Sequence, residues 1–255
     1  MGVTYSVQAI KQTKDGMIIL GVRYKRYFEE RCPDFAMVHP RISKDVQALV
    51  LANWAAISSG STPALLKIKP ASPVVYFYDY FYGMIFEKAP AVKPLFRSSI
   101  IVQGKALINI IQSITSAVNA PNVIEKVCDL AYRHNKYGVK IEYFNLLGKC
   151  LLLAMHDCTG DTFTDELREA WRAAYAYMVM VMTPILYHGV VHPTDEDKAL
   201  SRQGRVQQSI FTSLSYWRHR TVAVGPDASL MCPANPPGMD SILPDANAPQ
   251  CPYQR

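Results

Sequence analysis

From residue 43 to residue 187 apolar side chains recur at steps of three and four with few interruptions, the period of helices that bury one face. Ser43 is a candidate N-cap for a first helix whose inward positions are Val46, Leu49, Val50, Trp54 and Ile57. Gly60, Pro63, Pro70 and Pro73 then break the pattern, so residues 60–73 read as a long loop. An aromatic-rich helix is expected over 75–86, ending before Pro90. Another is expected over 100–118, where Leu107, Ile110, Ile111, Ile114 and Val118 form one stripe. Asn119 to Asn122 end that helix and open the next, whose stripe Val123, Val127, Leu130 and Ala131 leads to His134. Helices over 141–155 and 164–182 complete the series, the last with Thr164 as N-cap and Asp165 and Glu166 in its first turn, where the helix dipole favours acids. The fold class is therefore all-α.

The flanks differ from this helical middle. In residues 1–42, stretches 3–10 and 17–24 are strand-like on either side of Asp15-Gly16, a turn dipeptide, so the extension reads as a hairpin followed by irregular, charged chain. After Tyr187 one more helix is expected between Asp195 and His219, through Val206, Ile210, Leu214 and Trp217. Residues 221–255 carry seven prolines and little that could pack, so that tail is expected to be disordered. The expected organisation is thus an N-terminal extension (1–42), a helical domain (43–187) and a C-terminal extension (188–255).

Composition removes several classes of function. The longest purely apolar run, Ala173 to Met182, is half of what a membrane-spanning helix needs, and Lys11, Lys14 and Asp15 occupy the place of a secretory apolar block. A cytoplasmic location is expected. The six cysteines contain no C-x-x-C pair, which argues against zinc ribbons and redox dithiols, and Cys128 and Cys150 read as buried thiols. A net charge of +6 without a dense basic block gives nucleic-acid binding little support.

Five segments in fixed order resemble the globin family: Trp54; residues 81–96 (FYGMIFEKAPAVKPLF) with Phe86, Pro90 and Phe96; residues 102–111 (VQGKALINII); residues 130–139 (LAYRHNKYGV); and residues 167–182 (LREAWRAAYAYMVMVM) with Trp171. The resemblance covers about 145 of 255 residues and is closest to single-domain bacterial and protist globins. It implies a three-over-three helical sandwich around haem b. No C-x-x-C-H is present, so burial and axial ligation alone would hold the haem. His134 would be the iron ligand. Tyr82 and Gln103 would be distal hydrogen-bond donors, and Phe96, Leu107, Tyr137, Val139 and Phe144 would line the haem.

Physical chemistry explains the residue types. A neutral imidazole ligates iron through one nitrogen while the other is oriented by a hydrogen bond, and His134 lies near a helix end where unpaired carbonyls could accept it. Oxygen on ferrous haem acquires negative charge, which a phenol O–H and an amide N–H stabilise. A bond to a charged acceptor is worth about 1.5–3 kcal/mol, so each good donor should slow oxygen loss about ten- to a hundredfold. Tight oxygen binding is the expectation. Alternative readings are a nitric oxide dioxygenase served by an external reductase, or a gas sensor. Flavohaemoglobins resemble this pocket distally, but they carry a proximal tyrosine where Phe144 stands, and the segment after Tyr187 is too short for their reductase module. Oxygen, nitric oxide and carbon monoxide are the small ligands implied. Finally, Met1-Gly2-Val3-Thr4-Tyr5-Ser6 fits the myristoylation pattern at Gly2; an unmodified terminus fits as well. Lys11, Lys14, Arg23, Lys25, Arg26 and Arg31 could then support membrane association, with Cys32 a second candidate for acylation.

Overall fold

A computed structural model describes residues 10–12, 17–37, 40, 42–96, 100–117 and 123–189. They form an all-α body preceded by one short hairpin. In the hairpin β1 (Ile10–Gln12) pairs antiparallel with β2 (Ile18–Leu20), with Ile10 opposite Leu20. The turn dipeptide Asp15-Gly16, residues 1–9 with Gly2, and everything after Gly189, including the expected helix near Trp217 and the proline-rich tail, lie outside the described residues.

The strand-like stretch ending at Tyr24 proves shorter than expected, because helix α1 (Val22–Arg31) takes over after Gly21. Tyr24 and Phe28 are four residues apart and both buried, and Lys25 pairs with Glu29 at the same spacing. That one-sided pattern suits a helix better than a strand. A 3₁₀ turn, Pro33–Phe35, follows, and it buries Phe35 completely.

Helix α2 (Lys44–Ser59) starts as its sequence predicts: the Ser43 hydroxyl accepts from the Val46 N–H, and Val50, Trp54 and Ile57 are buried. The expected loop over 60–73 contains a further helix, α3 (Pro63–Ile68). Thr62 caps it, accepting from the Leu65 N–H while its own hydroxyl donates to the Cys158 carbonyl, and Pro63 occupies the first turn, where a missing N–H is harmless. The stretch Lys44–Ile68 has the length and apolarity of a membrane span, but it is broken at Gly60, which sits at φ +74°. Helix α2 alone has 16 residues, short of the roughly 20 a span needs.

The rest follows the helical period. Helix α4 (Pro73–Lys88) is capped by Ser72, and a 3₁₀ segment, Pro90–Leu95, links it towards α5 (Ile100–Ala117). Helix α6 (Val123–Lys136) carries His134 in its last turn, and five residues separate it from α7 (Glu142–Thr159). Helix α8 (Asp165–His188) is capped by Thr164, continues through Pro184 beyond the expected end at Met182, and is buried nearly all round. Its most extensive packing is against α6, with α2, α1 and α7 also laid against it. A buried polar chain ties the layers: the Trp171 indole N–H donates to Asn53 Oδ1, and the Asn53 amide donates to Thr159 Oγ1, each at 2.9 Å.

Candidate functional site

Two clusters gather the candidate site residues, one on α4 and α5 and one at the junction of α6 and α7. On the first, Tyr82 stacks on Phe86 one helical turn later (centroids 6.1 Å), and both meet Phe96 edge-on, at 5.4 and 5.1 Å. The 3₁₀ segment makes this possible by turning the chain so that Phe96 folds back over α4. Tyr82 is buried, which pushes its phenol well above the ordinary value and keeps it a hydrogen-bond donor. Its hydroxyl donates to the main-chain carbonyl of Gln103 at 3.1 Å. Gln103 and Leu107 lie one turn apart on α5 and are both half-buried. Gly104 lets α5 approach α4 closely, since a β-carbon there would sit 2.5 Å from the Tyr78 ring.

On the second cluster, His134 Nδ1 lies 2.8 Å from the Leu130 carbonyl. A carbonyl can only accept, so Nδ1 carries the proton and Nε2 keeps its lone pair. The acceptor is one turn back inside α6, and not one of the end carbonyls the sequence suggested. The end carbonyls are engaged in the turn itself: the N–H groups of Tyr137 and Val139 both converge on the His134 carbonyl, and Gly138 at φ +74° closes the turn. Val139 is packed against the core and Tyr137 is half-buried. Phe144, buried in the first turn of α7, meets the His134 ring at 5.5 Å. Burial lowers the His134 pKa, outweighing the opposite pull of the Leu130 hydrogen bond, and Arg133 lowers it further, so the imidazole is neutral at physiological pH.

The donor set decides whether these side chains suit a haem. A haem iron takes one neutral nitrogen from the protein, held in orientation from behind and surrounded by apolar walls. His134 supplies that: a neutral ring, Nδ1 fixed on Leu130, and an Nε2 with no hydrogen-bond partner among the described residues. Among those residues no group of three or more His, Cys, Asp or Glu could hold a bare metal ion. The residues fit the group.

Sequence reasoning missed the main-chain acceptors, Leu130 and Gln103, because a carbonyl leaves no mark on residue type. It also missed Tyr175, whose hydroxyl donates to the Phe144 carbonyl at 2.6 Å. Cys32, a candidate for acylation, is fully buried; its thiol faces the Ile141 carbonyl at 3.7 Å and is pushed up to about 12 by burial. It offers no surface for a lipid in this fold. Arg31, counted towards the basic patch, pairs with Glu142 at 2.6 Å.

Comparison with known proteins places residues 79–182 in the family model described as Globin. Three similar curated proteins all bear the name flavohemoprotein. That of Oceanobacillus iheyensis is 31% identical over 100 residues, covering 38% of this chain and 25% of the relative. That of Bacillus subtilis is 32% identical over 101 residues (37% and 25%), and that of Rhizobium meliloti 27% over 124 residues (45% and 31%). The match thus spans a quarter to a third of each relative's length.

Proposed function

This chain carries a globin domain, matched over residues 79–182, and on that premise we propose that it binds haem b through His134 and holds oxygen tightly. The observation that carries the reading is the His134 ring itself: neutral, with Nδ1 donating to Leu130 and Nε2 left for a metal. When bound, haem would supply an iron that takes up oxygen, nitric oxide or carbon monoxide. Phe144 would brace the proximal imidazole, Val139 and Tyr137 would close the haem edge, and Phe96 and Leu107 would exclude water above it. Tyr82 and the Gln103 amide would donate hydrogen bonds to the charged end of the gas ligand.

The parked hydroxyl sets the size of that last effect. To serve a ligand, Tyr82 must leave the Gln103 carbonyl, so the gain is the difference between a charge-assisted bond and an ordinary one. With about 1.5–3 kcal/mol for the first and about 0.5–1.5 kcal/mol for the second, the midpoints differ by about 1.2 kcal/mol. That corresponds to about tenfold in retention, the lower end of the sequence-based expectation.

A second reading, nitric oxide dioxygenation with an external reductase, is favoured by the flavohemoprotein names of the relatives. Stopped-flow displacement of oxygen by carbon monoxide tests the first reading, which requires slow release. Oxygenated protein mixed with nitric oxide, with ferric reduction then followed in a cell extract, tests the second. Rapid turnover would favour the enzyme. Fast oxygen release without turnover would remove both readings.

A further inference from the structure

The segment before α2 reaches into the surroundings of His134, and its contacts converge on the first two turns of α7. Arg31 pairs with Glu142, and Asp34 is bound to α7 three times: its N–H donates to Asn145 Oδ1 at 3.2 Å, its carboxylate accepts from the Asn145 amide at 2.8 Å, and it pairs with Lys149 at 3.3 Å. Phe35, fully buried, packs on the Tyr175 ring with centroids 4.7 Å apart. A β-carbon at Gly148 would collide with both rings, so the glycine is what lets them lie against α7. The Tyr175 hydroxyl donates to the Phe144 carbonyl at 2.6 Å, so it is tied to the first turn of α7. Phe144 in turn lies against the His134 ring.

We propose that Val22–Phe35 is a proximal clamp, in which Phe35 seats Tyr175, Tyr175 fixes the first turns of α7, and Phe144 on that helix sets the tilt of His134. Phe35 and Tyr175 are positioning residues: neither needs to touch the haem. Physical support comes from the shortness of the chain. Three buried residues, Phe35, Tyr175 and Phe144, and the half-buried His134 lie in direct succession and leave little room for one to move without the next, because packed interiors transmit displacement. The clamp also reaches the other helix beside the ligand, because Arg172 on α8 donates to the Asp34 carbonyl at 2.8 Å.

The inference rests on His134 being the iron ligand, and its test separates the two claims. Tyr175→Phe and Phe35→Leu keep apolar side chains in place, and each should bind haem with a normal Soret band. In both, the ferrous iron–histidine stretching band should shift, and haem should pass to an apoglobin acceptor about tenfold faster, as for other loosened outer-shell supports. Tyr80→Phe is the control. It also deletes a tyrosine hydroxyl bond onto α7, to Asp157 at the far end of the helix, and should leave both readouts unchanged. An unmoved band and transfer rate in either clamp variant, with haem uptake intact, overturns the clamp while leaving the ligand assignment standing. Should the unaltered protein take up no haem, the ligand assignment falls. The clamp is then judged on haem-free protein by the ring-nitrogen NMR signals of His134, which must move in Tyr175→Phe and stay in Tyr80→Phe; still signals in Tyr175→Phe overturn it.

Discussion

His134 and Tyr82 each owe their chemistry to a main-chain carbonyl. The Leu130 carbonyl accepts from the His134 Nδ1–H and so selects the tautomer with a bare Nε2, while the Gln103 carbonyl holds the Tyr82 hydroxyl in the absence of a stronger acceptor. Because burial keeps that phenol protonated, replacing it removes a donor and nothing else of charge. Tyr82→Phe is therefore expected to speed oxygen release about tenfold, and Gln103→Leu to speed it less, as measured by carbon monoxide displacement. Unchanged rates in both variants would mean that the ligand lies elsewhere. Both side chains were singled out through the resemblance to globin segments, Tyr82 one turn before Phe86 and His134 within residues 130–139. Their acceptors were not legible, because a backbone oxygen is present at every position and only the fold selects one.

At the scale of elements, short-range signals carried well and mixed signals did not. Ser43 and Thr164 cap α2 and α8 as their sequences suggest, since an N-cap needs only a hydroxyl three residues before an N–H. Thr62-Pro63 is an equally local start signal, but among Gly60, Pro70 and Pro73 it read as one more break, and α3 was missed. Helix α1 was missed because Tyr24, Tyr27 and Phe28 sit among six charged residues and satisfy strand and helix propensities alike. Pro184 implied an end to α8, yet the helix passes it with Thr183 bonded to the Val179 carbonyl and Asn135 to that of Ile185. Asn53 shows what a polar residue on an apolar face can do: it joins α2, α7 and α8 through Trp171 and Thr159. Asn53→Leu should destabilise the protein by about 2–4 kcal/mol, since it leaves a buried N–H and a buried hydroxyl unpaired. Urea unfolding reads this directly; a change below about 1 kcal/mol would show that the network is dispensable.

Over the whole molecule, the first described helix and the last are joined far apart in sequence by Tyr24 and His188, hydrogen-bonded at 2.9 Å under an edge-on Tyr187. Burial, with Arg23 adding to it, lowers the His188 pKa to about 4 from the ordinary 6.5. As pH falls through that window the unfolded chain takes up a proton that the folded one refuses. Stability is therefore complete above about pH 6.5 and is lost towards pH 4, by at most about 1.4 kcal/mol per pH unit for this group. His188→Gln should flatten the fall in unfolding free energy between pH 6 and pH 5; an equal slope in both proteins would show that His188 does not titrate with folding. The all-α architecture was legible because apolar period alone determines it, whereas the packing of α1 on α8 was not, since contacts between residues more than 150 positions apart leave no local pattern. The proposed function depends on one bond, that between His134 and a haem iron. The most direct measurement is haem titration of the purified chain and its His134→Ala variant, followed by the Soret band. The account predicts stoichiometric uptake by the unaltered chain and loss of most of it, or a loosely held haem with an altered band, in the variant; equal uptake with the same spectrum in both would contradict it.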